Sequence, residues 1–297
     1  EHQRDFMPED TKAGMIQAYL DKYTGETVCS KQLYKEALNH TFDEPKQWEI
    51  REINALLSAV SLGRELGVES AQTARYAAQA RALARAIDAH FGGEVGGYDT
   101  YRYYAGNTLL RSWICMPLIV GLKERSEGTV RALLGPELMT DDGLLTQQGS
   151  STFWDRSTLY ALRGIYNVGQ ADRATELLHR YSQRRLLGDH VPYPIEAWPE
   201  GSQRHLSAES GLYCRIITEG LFGIRPTGLR SFDLTPSMPA AWESMSLRHI
   251  RAFGSDFDIT VARVADGRLR ITVARPGAKP KIYRAAPGAT IRVKLTD

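Results

Sequence analysis

The apolar residues of this 297-residue chain change their spacing once, close to Pro226. Before that point, as in the segment 53–60, they recur every three or four residues, which is the period of amphipathic helices. After it, the alternating runs FDITVARV and LRITVARP flank an Asp266-Gly267 pair, which predicts a β-hairpin. The pattern predicts a mainly α fold, with a helical domain over residues 1–228 and a small antiparallel β domain over 229–297.

Charge and apolar content exclude several classes of partner. Lys and Arg total 37 against 35 Asp and Glu, and this formal charge of +2 provides no field that would attract nucleic acid. No apolar run approaches the roughly 20 residues that a membrane-spanning helix needs, so we expect no membrane insertion. The chain begins at Glu1 rather than Met, which favours a processed or truncated product with an N-terminal region missing. The three cysteines are far apart, so neither a metal site nor a cofactor is expected.

An acidic, aromatic loop precedes the last helical segment and is the strongest candidate for chemistry. Glu196 lies between Tyr193 and Trp198, and Glu200 and His205 follow in the same loop. An aromatic face can pack on a sugar ring, and a partly dry environment raises the pKa of a carboxyl group. Glycosidic bonds are usually cleaved by two such carboxyl groups. A cap on a backbone amide or an ion pair with Arg204 is the structural alternative for Glu196.

A second aromatic segment precedes another helix. Phe153 and Trp154 stand at its start, and Asp155 and Arg156 fall in its first turn. Asp155 is a rival carboxylate for substrate contact, or an acid that the helix dipole favours. Arg156 is a candidate to pair with it or to bind a sugar hydroxyl or carboxylate. By contrast, Glu219 lies mid-helix, four residues after a basic side chain, and we predict an ion pair with Arg215 there.

Several short motifs in the C-terminal half resemble the six-hairpin glycosidases. The segment with Ile195-Glu196-Ala197, Glu200-Gly201 and Leu206-Ser207-Ala208-Glu209 is similar to the glucoamylase segment in which the second catalytic glutamate precedes a helix. The following segment, with Ser210-Gly211 and Leu221-Phe222-Gly223-Ile224, resembles cellobiose phosphorylase-like enzymes. The resemblance implies an α/α toroid of six hairpins over residues 1–228. About eight helices are predicted there, fewer than six hairpins require, so the toroid is expected to be N-terminally incomplete.

The resemblance also implies roles for individual residues. Glu196 would be the general base of an inverting hydrolase, and Asp43 or Glu44, beside Trp48, would be the general acid. The expected substrate is an oligosaccharide or polysaccharide, and a bacterial enzyme of this kind would be periplasmic or extracellular. The remaining candidate substrate-binding residues are Trp154, Asp155, Arg156, Tyr193, Trp198, Glu200 and His205.

Other activities remain open at the level of sequence. A polysaccharide lyase would abstract a proton with Tyr or His, for which His190, Tyr193 and His205 are available. A phosphorylase would use phosphate in place of water. A non-catalytic carbohydrate-binding protein would keep the same aromatic loop without a functional general acid.

Overall fold

The computed structural model describes residues 50–68, 70–187, 193–195 and 207–296, all within one compact unit, Lys46–Asp297. The α-helices of this part are α1 (Ile50–Glu65), α2 (Ser70–Phe91), α3 (Met116–Ile119), α4 (Ser126–Leu134), α5 (Asp155–Asn167), α6 (Ala171–Tyr181) and α7 (Ser207–Arg215). The strands are β1 (Gly92–Val95), β2 (Tyr98–Tyr101), β3 (Met139–Thr140), β4 (Gly143–Leu144), β5 (Ile224–Gly228), β6 (Ser231–Leu234), β7 (Ser244–Ala252), β8 (Ser255–Arg263), β9 (Leu269–Ala274), β10 (Lys281–Ala285) and β11 (Ile291–Lys294).

Helices α1 and α2 form a tightly packed pair. Helix α1 ends where Gly67 adopts a φ of +68° and the Val68 amide donates to the Gly63 carbonyl at 2.8 Å. Such a left-handed residue satisfies the free carbonyls of a helix end and reverses the chain. A Cβ at Gly63 would lie 2.7 Å from Thr73 Cγ2, so the two helices pack too closely for a larger residue there.

Helix α5 lies at the centre of the helical part. Its Leu159, Leu162 and Ile165 side chains are fully buried, and it packs on α3, α6 and α7. A Cβ at Gly164 would lie 2.8 Å from Leu118 Cβ, so glycine allows α3 to approach closely. Helix α5 is therefore held on several sides, which makes its N-terminus a well-defined position.

The C-terminal segment forms two antiparallel sheets, with strand orders β10-β9-β8-β7 and β11-β6-β5. Phe257, Ile259 and Val261 alternate toward the core along β8. The predicted hairpin is confirmed, because β8 pairs with β9 and Gly267 takes a φ of +80° in the turn between them. Most buried apolar residues of the helices and sheets belong to one continuous core.

The predicted order of a helical part followed by antiparallel β structure is confirmed in the described residues. Seven α-helices lie in that part, and closure into a six-hairpin toroid stays a prediction. The predicted division between residues 1–228 and 229–297 likewise stays a prediction. Among the helices that are described, none has the length and apolar character needed to cross a membrane.

Candidate functional site

The candidate site is built around the N-terminus of α5. Trp154 precedes the helix with extended backbone angles, φ −128° and ψ 104°. The hydroxyl groups of Ser157 and Thr158 both donate to the Trp154 carbonyl at 3.0 Å. These bonds fix the residue at the helix entrance, so Trp154, Asp155 and Arg156 take defined positions on three successive residues.

The Asp155 carboxylate is part of a buried ion pair. Its Oδ1 lies 3.2 Å from Arg185 Nη2, and both side chains are only 1% exposed. Its Oδ2 accepts a hydrogen bond from the backbone amide of Ile195 at 2.9 Å. Arg185 also donates from Nη1 to the Asp142 carbonyl at 2.9 Å. Buried charges are tolerated when they are paired and hydrogen-bonded in this way.

Tyr181, at the end of α6, lies beside this ion pair. Burial, together with the negative charge of Asp155, raises the pKa of the Tyr181 phenol well above its usual value of 10.0. The phenol is therefore neutral across the physiological pH range and adds no charge to the pair.

Arg156 is held by a second buried carboxylate. Its Nε donates to Glu209 Oε1 at 2.5 Å, and the Glu209 side chain is completely buried, whereas Arg156 is 30% exposed. Glu209 lies in the first turn of α7. The two helix N-termini, of α5 and of α7, are thus joined by a charge-assisted hydrogen bond.

Two consecutive side chains therefore hold both described segments that border residues 196–206. Asp155 holds the amide of Ile195, which precedes that stretch, and Arg156 holds Glu209, shortly after it. Ile195 is the residue immediately before Glu196 in the sequence. The entrance of α5 therefore holds the last described residue before Glu196.

Aromatic side chains surround the same helix entrance. The Trp154 ring packs edge-on against Trp113, with ring centroids 5.0 Å apart and planes at 84°. The ring centroids of Trp113 and Tyr160 lie 5.9 Å apart. The Arg163 Cζ atom lies 5.5 Å from the centroid of the Tyr160 ring. Trp113 was not predicted as a site residue, because a tryptophan in an apolar helical turn has no local pattern that separates it from other core residues.

The predicted site residues divide into two groups. Trp154, Asp155, Arg156 and Tyr193 are described, and the first three lie together at the α5 entrance. The others lie outside the described residues: Asp43, Glu44, Glu196, Trp198, Glu200 and His205. All of the catalytic and substrate-binding roles stay predictions.

One local expectation is confirmed. Arg215 Nε donates to Glu219 Oε1 at 2.5 Å, four residues along the chain. Arg163, from α5, donates to the other Glu219 oxygen at 2.7 Å. Glu219 is thus a structural ion-pair partner for two arginines. Within the described ranges, no group of three or more His, Cys, Asp or Glu side chains is arranged to hold a metal ion.

Comparison with known proteins gives a likeness of fold only. No protein-family model and no curated protein matches the chain. A solved structure named as a sialidase is similar with a TM-score of 0.56 and 14% identity, over 83% of this chain and 26% of that one. Neutral trehalase Nth1 from Saccharomyces cerevisiae matches with a TM-score of 0.45 and 12% identity, over 71% of this chain and 49% of that one.

The chain thus spans 26% of the sialidase and 49% of the trehalase. At 14% identity, the match to the sialidase structure is a likeness of fold alone. The resemblance predicted from the sequence is confirmed as a likeness of fold.

Proposed function

We propose that this protein is a glycoside hydrolase that cleaves an oligosaccharide or polysaccharide with inversion, with Glu196 as the general base. The likeness of its fold to a glycosidase structure supports this class of activity. The observation that carries the proposal is the hydrogen bond from the Ile195 amide to the buried Asp155 carboxylate. It anchors the backbone one residue before Glu196, and a catalytic carboxylate needs such a fixed support.

In the proposed reaction, Glu196 takes a proton from a water molecule whose oxygen attacks the anomeric carbon. The bond from that carbon to the leaving oxygen breaks, and the leaving oxygen receives a proton from a carboxylic acid, Asp43 or Glu44. One water is consumed and the anomeric configuration is inverted. This chemistry needs two carboxyl groups and no cofactor.

The aromatic residues supply the binding surface in this proposal. Trp154, Tyr193 and Trp198 would pack against sugar rings, and Glu200 and His205 would bind hydroxyl groups. Asp155 then acts as a positioning residue, since its two oxygens face Arg185 and the Ile195 amide. Arg156, which is 30% exposed beside Glu209, would contact a substrate oxygen in this proposal.

The test is a Glu196→Gln variant assayed on a panel of glycans by chromatography of released sugars. We expect kcat to fall roughly 100- to 10,000-fold, as for loss of a general base, while the thermal unfolding temperature stays unchanged. Glu243→Gln makes the same chemical change at an exposed glutamate of the β segment and should leave turnover unchanged. Proton NMR of the first product should show the inverted anomer.

Other outcomes of the same assay point to other functions. Unchanged turnover in folded Glu196→Gln contradicts the general-base role. An unsaturated product that absorbs ultraviolet light indicates a lyase, and cleavage that requires phosphate indicates a phosphorylase. Glycan binding without cleavage of any kind indicates a carbohydrate-binding protein.

A further inference from the structure

A second feature of the helical part lies on residues that the candidate site does not use. A groove of about 440 Å³ opens between helices α4 and α6, beside strand β2. Its lining residues are Tyr98, Arg131, Leu134, Arg173, Glu176 and Arg180. This volume is within the range of small-ligand sites.

The two helices are joined at one end of the groove. Glu127, in the first turn of α4, accepts hydrogen bonds from Gln170 at 3.0 Å and from Arg173 at 3.3 Å. These bonds connect α4 to the beginning of α6. The two groove walls are thus linked at this end by exposed hydrogen bonds.

The groove carries a local excess of positive charge. Three of its lining residues are arginines and one is a glutamate, while the whole chain has a formal charge of only +2. Arg173 is partly neutralised by Glu127 at 3.3 Å. Within the described residues, neither Arg131 nor Arg180 forms an ion pair, and both are exposed. Two guanidinium groups are therefore available to an anion.

An aromatic ring lies next to one of these guanidinium groups. Arg131 stands 5.7 Å from the centroid of the half-buried Tyr98 ring, and the Tyr98 hydroxyl donates to Glu137 at 3.3 Å. The ring is thus tied at its far end. An aromatic face binds the apolar face of a sugar ring, and guanidinium groups bind carboxylate or sulfate through paired hydrogen bonds.

We propose that the groove binds an anionic sugar unit of a glycan chain, with the ring on Tyr98 and its carboxylate or sulfate group on Arg131 and Arg180. The choice of a sugar rests on the proposed function, whereas the binding of an anion does not. Equilibrium binding separates the two proposals, because it requires no turnover.

The experiment is calorimetric titration of the full chain at low salt with trigalacturonate, a short carboxylated glycan. We expect saturable binding that the double variant Arg131→Gln/Arg180→Gln weakens by roughly tenfold or more, as for loss of hydrogen bonds to a charged group. The matched control is Arg268→Gln/Arg284→Gln, which removes two exposed arginines from the β segment. The control should bind as the unmodified protein does.

Further probes test the aromatic and anionic parts separately. Tyr98→Phe keeps the ring and should retain binding, whereas Tyr98→Ala should lose it without loss of helical circular dichroism. Maltotriose, which is neutral, should not bind in the groove, and dextran sulfate should compete with trigalacturonate.

Three results would overturn the proposal. The first is absence of binding to both anionic glycans. The second is an equal loss of affinity in the control double variant, which would mean diffuse charge attraction. The third is displacement by sodium sulfate at the same concentration as trigalacturonate, which would identify a simple anion site.

Discussion

Replacing Asp155 with asparagine separates the charge of this side chain from its shape. The carboxylate lies 3.2 Å from Arg185, with both side chains 1% exposed. An asparagine amide has nearly the same size and can still accept the hydrogen bond from Ile195, but it carries no charge. Arg185 would then remain buried as a cation without the opposing charge of Asp155.

The expected loss of stability is large. Removing one partner of a buried ion pair costs about 3–5 kcal/mol. Because asparagine keeps the acceptor for the Ile195 amide, we expect the lower end, about 3 kcal/mol, for Asp155→Asn. A typical domain has a free energy of unfolding of about 5–15 kcal/mol, so the variant would lose a substantial share of it.

Urea unfolding, followed by circular dichroism and tryptophan fluorescence, measures this loss as a shift of the midpoint. The matched control is Asp256→Asn. Asp256 pairs with Arg251 at 3.8 Å, with side chains that are 60% and 86% exposed. Exposed pairs of this kind contribute at most about 1 kcal/mol, so this variant should unfold nearly as the unmodified protein does.

An Asp155→Asn variant that unfolds like Asp256→Asn would refute the reasoning. Adding Arg185→Met to Asp155→Asn removes both charges, and it should recover part of the lost stability, since apolar replacement of a buried pair is often near neutral. A double variant no more stable than the single one would assign the loss to packing or hydrogen bonds instead of charge.

Three further predictions concern backbone strain, helix propensity and pH. A Cβ at Gly223, which has a φ of +66°, would lie 2.2 Å from the Thr235 carbonyl oxygen, so Gly223→Ala should destabilise by more than about 1 kcal/mol. No atom of the described residues lies within 4 Å of a Cβ at Gly211 in α7, so Gly211→Ala should stabilise by about 0.5–1 kcal/mol. Thermal shifts of the same sign in both variants would contradict this account. Burial and the Asp155 charge raise the pKa of Tyr181, so its contribution to stability is complete below pH 10.0 and is lost as pH rises through the folded pKa. Urea unfolding at increasing alkaline pH should show a smaller loss of stability in Tyr181→Phe than in the unmodified protein, and an unchanged loss would contradict the assignment.

Local patterns in the sequence predicted the elements whose contacts are also local. The β8–β9 hairpin follows from alternation around Asp266-Gly267, because both strands bury one face and the turn needs a left-handed glycine. The pairing of Glu219 with Arg215 follows from helical spacing and was confirmed at 2.5 Å. The second partner of Glu219, Arg163, lies 56 residues earlier and could not be predicted.

In the candidate site, too, local features were predicted from the sequence and contacts between distant residues were not. The sequence predicted that Trp154, Asp155 and Arg156 lie at the start of a helix, and the helix begins at Asp155. The spacing of residues did not predict that Arg156 pairs with a buried Glu209, since 53 residues separate them. Nor did it predict the groove, which exists only because α4 and α6 lie side by side with their arginines facing one space.

By itself, the sequence determined the change from helices to antiparallel strands, the turn chemistry and the absence of a strong net charge, because each depends on neighbouring residues or on a sum over the chain. It did not predict strands β1–β4 within the helical part. Only the tertiary structure decided that Asp155 is a buried anchor, with its carboxylate bonded to an amide 40 residues away. The physical reason is burial. A carboxylate in the first turn of a helix has the same local sequence whether it faces water or a guanidinium, and only packing decides which of the two surrounds it.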